Sequence, residues 1–534
     1  MGIPSYFSFI VKNHKGIIKK LRRLGRSVDN LYLDSNSVIY DRLRSLHAEY
    51  REGEDATFEE LLIRAVCTQL DEYIRVVRPR NEVLIAFDGV APVAKLEQQR
   101  TRRYKSALLE RVRQRVDPCA QCGWDKTAIT PGTSFMEKLG RGVRAHYADG
   151  LNRRSARLVR VTCSDEPGEG EHKIFQHIRD EPDRHADEVT LVYGLDADLI
   201  MLALNHLPIS KTIYLYRETP EFIKSIDAHL EPNESYVLDI PQLADAVVCN
   251  MGGGSFDEDP ARMYDYIFLC FFLGNDFMPH FPSANIRTTG IAQLLEAYQS
   301  VVSSKGLRLI DNATVLWDNV RSLVLELAGG ERSALLAEHR RRDRWERRSR
   351  RASTPEEKMA RLDQIPTQVR DLEHYIDPSR DGWERRYYQT LLGFDQTDAH
   401  IKPLCTNYLE GLEWTMRYYM EGCVDWSWCY RHHYPPLFRD LARFIPRWET
   451  RMLAPSNSRP VGPLTQLAYV LPLSGLHLLP SSLRVHLLKS VPGNYTFEHP
   501  IYWSYCRYLW EAHVGFPHLN VRDLELLTYG SQGK

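Results

Sequence analysis

The chain has 534 residues, of which 43% are hydrophobic and 26% charged, with 69 Lys plus Arg against 70 Asp plus Glu. That length holds two or three domains with ample core, and the composition is that of a soluble globular protein. Balanced charge excludes wholesale adhesion to nucleic acid while leaving room for local segregation of charge. Ile3 to Val11 has neither the length nor the cleavage site of a secretory leader. Tyr6 stands where a myristoylation signal takes Ser or Thr, and the most apolar run, Tyr266 to Leu273, is too short to span a bilayer. The expectation is a protein without membrane contact, in the cytoplasm, with the nucleus as the other compartment. Cys119 and Cys122 form a C-x-x-C pair with no second pair following at comparable spacing, so free thiols are expected in place of a zinc site.

In chain order, Leu31 to Leu33 is a short strand ending at Asp34, with a helix predicted from Val38. Phe58 to Val77 has helical periodicity, and Glu82 to Phe87 is a second strand ending at Asp88. Arg157 to Cys163 alternates as a third strand and delivers the acidic, glycine-punctuated loop Ser164 to Ile174, which runs into a helical stretch from Gly170 to Arg179. Val189 to Tyr193 is a fourth strand, leading through Asp196 and Asp198 to a helix over Leu199 to Leu204. Strand and helix alternating in this way predict an α/β fold with a largely parallel sheet.

An acidic residue stands just past the carboxyl end of every one of these strands, the edge at which open parallel sheets bind ligands. Asp34, Asp88, Glu169, Glu171, Asp196 and Asp198 are expected to face one crevice, and Asp276 joins them from the end of the apolar segment Tyr264 to Leu273. Any one of them reads equally well as a helix cap or turn residue, but coincidence at five segment ends favours a shared site. Carboxylates so crowded need divalent cations between them, and hard oxygen ligands suit Mg²⁺ or Mn²⁺. Two such ions clamp the attacking and leaving oxygens of a phosphodiester, so the constellation predicts a phosphodiester hydrolase. Glu169 and Glu171, two residues apart, do not share a helix face. Both can reach metal only if Gly168 and Gly170 hold the backbone there in a loop or first turn. Asp165 and Glu166 are expected to cap or to stand behind them.

Lys95 to Val116 carries eight Lys or Arg against two Glu, and on a helix Lys95, Gln99 and Arg102 or Arg103 recur on one face. Such a face can grip a phosphate or be merely solvated. Arg340 to Arg351 holds eight arginines with no apolar face, which predicts a solvated helix or variable linker. This divides the chain into residues 1–330, a linker at 331–365, and a helical, aromatic-rich part at 366–534. In Leu409 to Tyr434 most rings are expected in the core, with one or two free to stack on bases.

Several motifs together resemble one family: MGIPSYF, LDSNSVIY, FDGVAPVAKLEQQRTRR, ITPGTSFM, SDEPGEGEHKI, GLDADLIMLAL and GNDFMPHFP, followed by LEGLEWTMRYYMEGCVDWSWCY and LPLSGLHLLPSSL. These are similar to the Xrn/Rat 5′→3′ exoribonucleases, and the matches run from Met1 to about Arg522. The resemblance implies a Rossmann-like nuclease core of the PIN/FEN type with two Mg²⁺ ions on Asp34, Asp88, Glu169, Glu171, Asp196, Asp198 and Asp276. It implies a pocket for a 5′-monophosphate on Lys95, Gln99, Arg102 and Arg103. The expected activity is processive hydrolysis of 5′-monophosphorylated single-stranded RNA to nucleoside 5′-monophosphates, by a monomer acting downstream of decapping.

Two departures stand out. Tyr40 replaces the histidine that in the family stacks on the terminal nucleotide; its ring keeps stacking but not the imidazole hydrogen bond. The tryptophan opposite it is assigned to Trp428, with Trp426 and Trp414 as alternatives. The chain also ends soon after the second conserved region, as expected of a compact member such as those of large DNA viruses. Two other readings have different consequences. A DNA flap nuclease shares the chemistry, but here only Thr289-Gly290-Ile291 follows Asp276 where such enzymes carry a Gly-rich hairpin. A non-catalytic RNA-binding scaffold would not need every carboxylate.

Overall fold

The computed structural model describes residues 3, 5–118, 123–148, 156–194, 196–217, 230–231, 234–348 and 352–530; Cys119 and Cys122 lie outside these. Cys163, Cys249, Cys270, Cys405, Cys423, Cys429 and Cys506 are free thiols. Among these residues no helix is long and apolar enough to cross a membrane.

A seven-stranded sheet forms the centre, built from β1 (Ile18–Lys20), β2 (Asn30–Asp34), β3 (Glu82–Ala86), β4 (Leu158–Thr162), β5 (Val189–Tyr193), β6 (Thr212–Arg217) and β7 (Tyr236–Asp239). Their order is β1-β7-β6-β5-β2-β3-β4. From β4 through β3, β2 and β5 to β6 all neighbours are parallel. The sheet is closed at its other side by antiparallel β7 and β1. The chain builds outward from β2 through β3 to β4, then returns to lay β5 and β6 on the opposite flank. The switch point therefore falls between β2 and β5, where ligands bind in open α/β sheets.

Strands covered on both faces read as apolar runs, and β2 and β3 follow that rule. Leu31 and Leu33, with Val83 and Ile85, enter the core beneath one face, while Tyr32 and Leu84 enter the core beneath the other. The second core does not stop at the sheet. It continues through the helix Ala261–Phe271 into Tyr387, Tyr408, Trp414 and Tyr418 of the second region, so the aromatic half is packed on the sheet as one body.

In the arginine-rich segment Arg340, Arg344, Arg347 and Arg348 are exposed, as a solvated helix requires, and Arg342 departs from that expectation. The first part of the segment is the last turns of a long helix, Trp317–Glu346, and Arg342 is 0% exposed. Arg342 donates to both oxygens of Glu373 at 2.8 and 2.7 Å and to the carbonyls of Pro366 and Cys506. Arg370, equally buried, pairs with the same Glu373 and with Asp343 and Glu346. A buried charge survives only when it is paired and hydrogen-bonded, and partners distant in sequence provide both here.

Candidate active site

Four of the five parallel strands, β2, β3, β4 and β5, deliver acidic residues to one edge. Asp34 is the last residue of β2 and lies opposite Ala86 in the ladder, which puts it beside Asp88, two residues beyond β3. Asn36 clasps Asp88 from both sides, donating its amide to Oδ2 at 2.5 Å and accepting the Asp88 backbone N–H at 3.2 Å. The Gly170 N–H donates to Asp88 Oδ1 at 2.7 Å. A Cβ on Gly170 would fall 2.7 Å from Asp34 Oδ1 and 3.4 Å from Asp88 Oδ1, so only glycine lets the helix start come this close.

The geometry required of the acidic loop is present. Gly168 has φ +102°, the left-handed region that favours glycine. Glu169 is extended, at φ −71° and ψ 150°, and precedes the helix Gly170–Asp180, whose first turn holds Glu171. The two glutamates therefore leave the chain from either side of a helix start, and their carboxylates converge with the His172 ring to within 4.8 Å. Asp165 and Glu166, expected to cap or back the site, instead pair with Arg144 on the solvent side. Lys173 pins the turn by donating to the carbonyls of Phe87 and Cys163, both at 2.8 Å.

Lys95 stands among these acids, with its Nζ 2.6 Å from Glu169 Oε1 and 2.7 Å from Asp276 Oδ2. Burial works against the ammonium, yet Asp276 and Glu169 hold its pKa well above the ordinary lysine value. Burial would also raise Asp276, but Lys95 holds it down at about 2. Asp34, Asp198, Glu169 and Glu171 shift the opposite way. Burial raises Asp34, with Asp88 and Asp196 adding to the effect; burial and Asp276 push Asp198 up to about 7. Burial also raises Glu169 and Glu171 against the pull of Lys95. Glu171 Oε2 is buried without a hydrogen-bond partner among the described residues. A donor set of carboxylate oxygens that repel one another, one of them unpartnered, fits a hard divalent cation, and the cluster can hold metal.

The predicted phosphate-gripping residues lie on the helix Val93–Val116, but not on a single surface. Lys95, Gln99 and Arg103 are buried. Gln99 Oε1 and Arg103 Nε have no hydrogen-bond partner among the described residues, while Arg103 Nη2 donates to the Ile129 carbonyl. Tyr40, on the helix Asn36–Ser45, is near enough to Arg103 to act on its charge. Arg102 turns outward onto a cavity of about 1280 Å³ that reaches from Asp276 to Trp426 and His433. That volume exceeds the ~300–1,000 Å³ of small-molecule pockets and suits a polymer.

Trp428, the tryptophan expected to stack on the terminal base, lies in the aromatic core. It is only 8% exposed, is stacked on Trp414 at 5.1 Å, and lies against Gly411, where a Cβ would come within 2.9 Å of its ring. Its neighbour Trp426 is the tryptophan on the cavity wall. Tyr418 and Tyr419, which sequence reasoning left among the core aromatics, reach the site: Tyr418 OH donates to Glu169 Oε2 at 3.0 Å and Tyr419 OH to Asp198 Oδ1 at 3.1 Å. The advance signal was two adjacent tyrosines in a helix, whose rings are both buried while their hydroxyls reach different acids.

Two family models match the chain. One, described as the XRN 5'-3' exonuclease N-terminus, matches residues 1–219; the other, the Xrn1 helical domain, matches 257–378 and 367–522. Similar curated proteins include the 5'-3' exoribonuclease 2 homolog of Drosophila melanogaster, 26% identical over 90% of this chain. The 5'-3' exoribonuclease 2 of Gallus gallus is 27% identical over 98% of it, and the 5'-3' exoribonuclease 1 of Saccharomyces cerevisiae 24% identical over 91%. The chain spans 65% of the fly protein's length, 69% of the chicken protein's and 40% of the yeast protein's.

Proposed function

Because the chain belongs to the Xrn family of 5′→3′ exonucleases, we propose that it degrades 5′-monophosphorylated single-stranded RNA processively, releasing nucleoside 5′-monophosphates. The observation that carries this reading is the meeting of Asp34, Asp88, Glu169, Glu171, Asp196, Asp198 and Asp276 beside a polymer-sized cavity that begins at Asp276. These carboxylates would hold two divalent ions, Mg²⁺ or Mn²⁺, which when bound supply an activated water and neutralise charge on the leaving oxygen.

The chain's own residues determine where the cut falls. Arg103 offers a buried, unpartnered Nε donor, and with Lys95, Arg102 and the side-chain amide N–H of Gln99 it receives the terminal phosphate, which fixes a step of one nucleotide. A phosphate held in a closed space excludes a cap by size. Tyr40 stacks on the terminal base, and Trp426, on the cavity wall, closes on it from the other side. The substrate's 5′-monophosphate makes a decapping reaction the natural upstream step. We place the protein in the cytoplasm, acting as a monomer.

The test is release of mononucleotides from matched RNAs bearing 5′-monophosphate, triphosphate, cap or hydroxyl, with a DNA flap alongside. Monophosphorylated RNA should be consumed from its 5′ end, and Asp196→Asn with Asp198→Asn should lower the rate by at least ~10²–10³-fold, the scale of losing a preorganised charge. Cleavage of the flap with the RNA left intact would replace this reading by the DNA one, and equal rates on all four RNA ends would remove the pocket.

A further inference from the structure

We propose that Tyr418 and Tyr419 are positioning residues for the metal-holding carboxylates, so that the second region of the chain sets the metal affinity of the nuclease site. Both lie in the last turn of the helix Asp398–Met420 and are buried. Adjacent helical residues point about 100° apart, and these two use the divergence to reach different acids. Tyr418 takes Glu169 Oε2 while Lys95 takes Oε1; Tyr419 takes Asp198 Oδ1.

A phenol donates a single proton in a direction set by its ring, and these rings are fixed. Tyr418 stacks on His172 at 3.7 Å and 20° and leans on Trp414 at 4.8 Å. Trp414 in turn stacks on Trp428, so a row of rings runs from the helix of Glu171 into the second region. Tyr419 meets Phe271 edge-on at 5.5 Å. A hydrogen bond from behind locks a carboxylate's rotamer and leaves its remaining lone pairs for an ion, an effect worth about 10–100-fold in metal affinity.

Packing alone does not account for the hydroxyls. Tyr408, buried on the same helix, has an OH without a hydrogen-bond partner among the described residues, so it serves as an internal control. The inference rests on the proposed role of the carboxylates as ligands of divalent ions.

The experiment titrates the full chain with Mn²⁺ in the absence of RNA, reading free Mn²⁺ by electron paramagnetic resonance, for wild type, Tyr418→Phe, Tyr419→Phe and Tyr408→Phe. Each of the first two variants should weaken Mn²⁺ binding about 10–100-fold. Their metal-free melting temperatures should match that of Tyr408→Phe, the KM for RNA should be unchanged, and the lost kcat should return at raised Mg²⁺. Tyr408→Phe should bind Mn²⁺ as wild type does. Wild-type Mn²⁺ affinity in both Tyr418→Phe and Tyr419→Phe, or equal weakening in Tyr408→Phe, would overturn the inference while leaving the metal reading standing. A wild type that binds no Mn²⁺ overturns that reading and the inference with it. Tyr419→Phe reports on Asp198 independently, so a folding defect in Tyr418→Phe leaves the test decisive.

Discussion

Gly170 sits where three constraints meet: its N–H donates to Asp88, its Cα faces Asp34, and it opens the helix that carries Glu171. Alanine is otherwise the better helix former, so on propensity alone Gly170→Ala would stabilise. The 2.7 Å approach to Asp34 Oδ1 reverses the sign, because Asp34 is the last residue of a buried strand and cannot retreat. Gly170→Ala should lower stability by ~1–3 kcal/mol, the usual penalty of overpacking, and reduce nuclease activity ~10²-fold through a displacement of about 1 Å at the acids. Chemical denaturation and a rate assay on the same preparation check both, and an alanine variant with wild-type rate would mean that Asp34 moves freely. Residues of this kind differ in legibility. Asp34, Asp88 and Asp198 could be found because an acid at a strand end repeats along the chain, whereas Trp426 and Trp428 differ only in which ring the fold turns outward, a choice made by Trp414 and Gly411 at another point in the sequence.

The helix Trp317–Glu346 shows the same divide among elements. A run of arginines reads as solvated, and Arg340, Arg344, Arg347 and Arg348 are exposed; Arg342 is buried because Glu373, beyond the end of the helix, contacts it and Arg370 together. Removing one partner of a buried ion pair costs about 3–5 kcal/mol because the other charge remains buried. Glu373→Gln should therefore cost that much in urea unfolding. The carboxylates of the nuclease site should be untouched, so activity per folded molecule should stay at the wild-type level. A loss under 1 kcal/mol would return this segment to the status of a solvated face. β2, β3 and β5 are legible from apolar runs and β4, an edge strand, from alternation, each followed by acids. β1, with the sequence Ile18-Lys19-Lys20, is not, since its place depends entirely on pairing with β7 more than two hundred residues later.

In the whole molecule one core joins the sheet to the aromatic region, and the acids are buried at that junction, so their ionisation bears on global stability. Asp34, Glu169, Glu171 and Asp198 have folded pKa values raised by burial and crowding. Each therefore imposes a cost that is absent below the unfolded carboxylate pKa of about 4 and complete once the pH exceeds the folded value. Asp276, held at about 2 by Lys95 against burial, acts oppositely: its contribution is present above the unfolded value and lost as pH falls toward 2. Between pH 5 and 8 the raised carboxylates alone should cost the metal-free protein stability as pH rises, against buried histidines such as His206, His280 and His433, whose lowered pKa values act in the opposite sense. Divalent ions bind the ionised carboxylates and release protons, so their stabilising effect should grow in the same direction. Saturating Mg²⁺, at about 100 times its dissociation constant, should add ~2.7 kcal/mol per bound ion at pH 8 and much less at pH 5. Asp198→Asn should raise the metal-free melting temperature at pH 8 while shrinking the Mg²⁺ increment. Melting curves of both proteins at the two pH values, with and without Mg²⁺, decide it: an increment equal at pH 5 and pH 8 would place the ions away from these carboxylates.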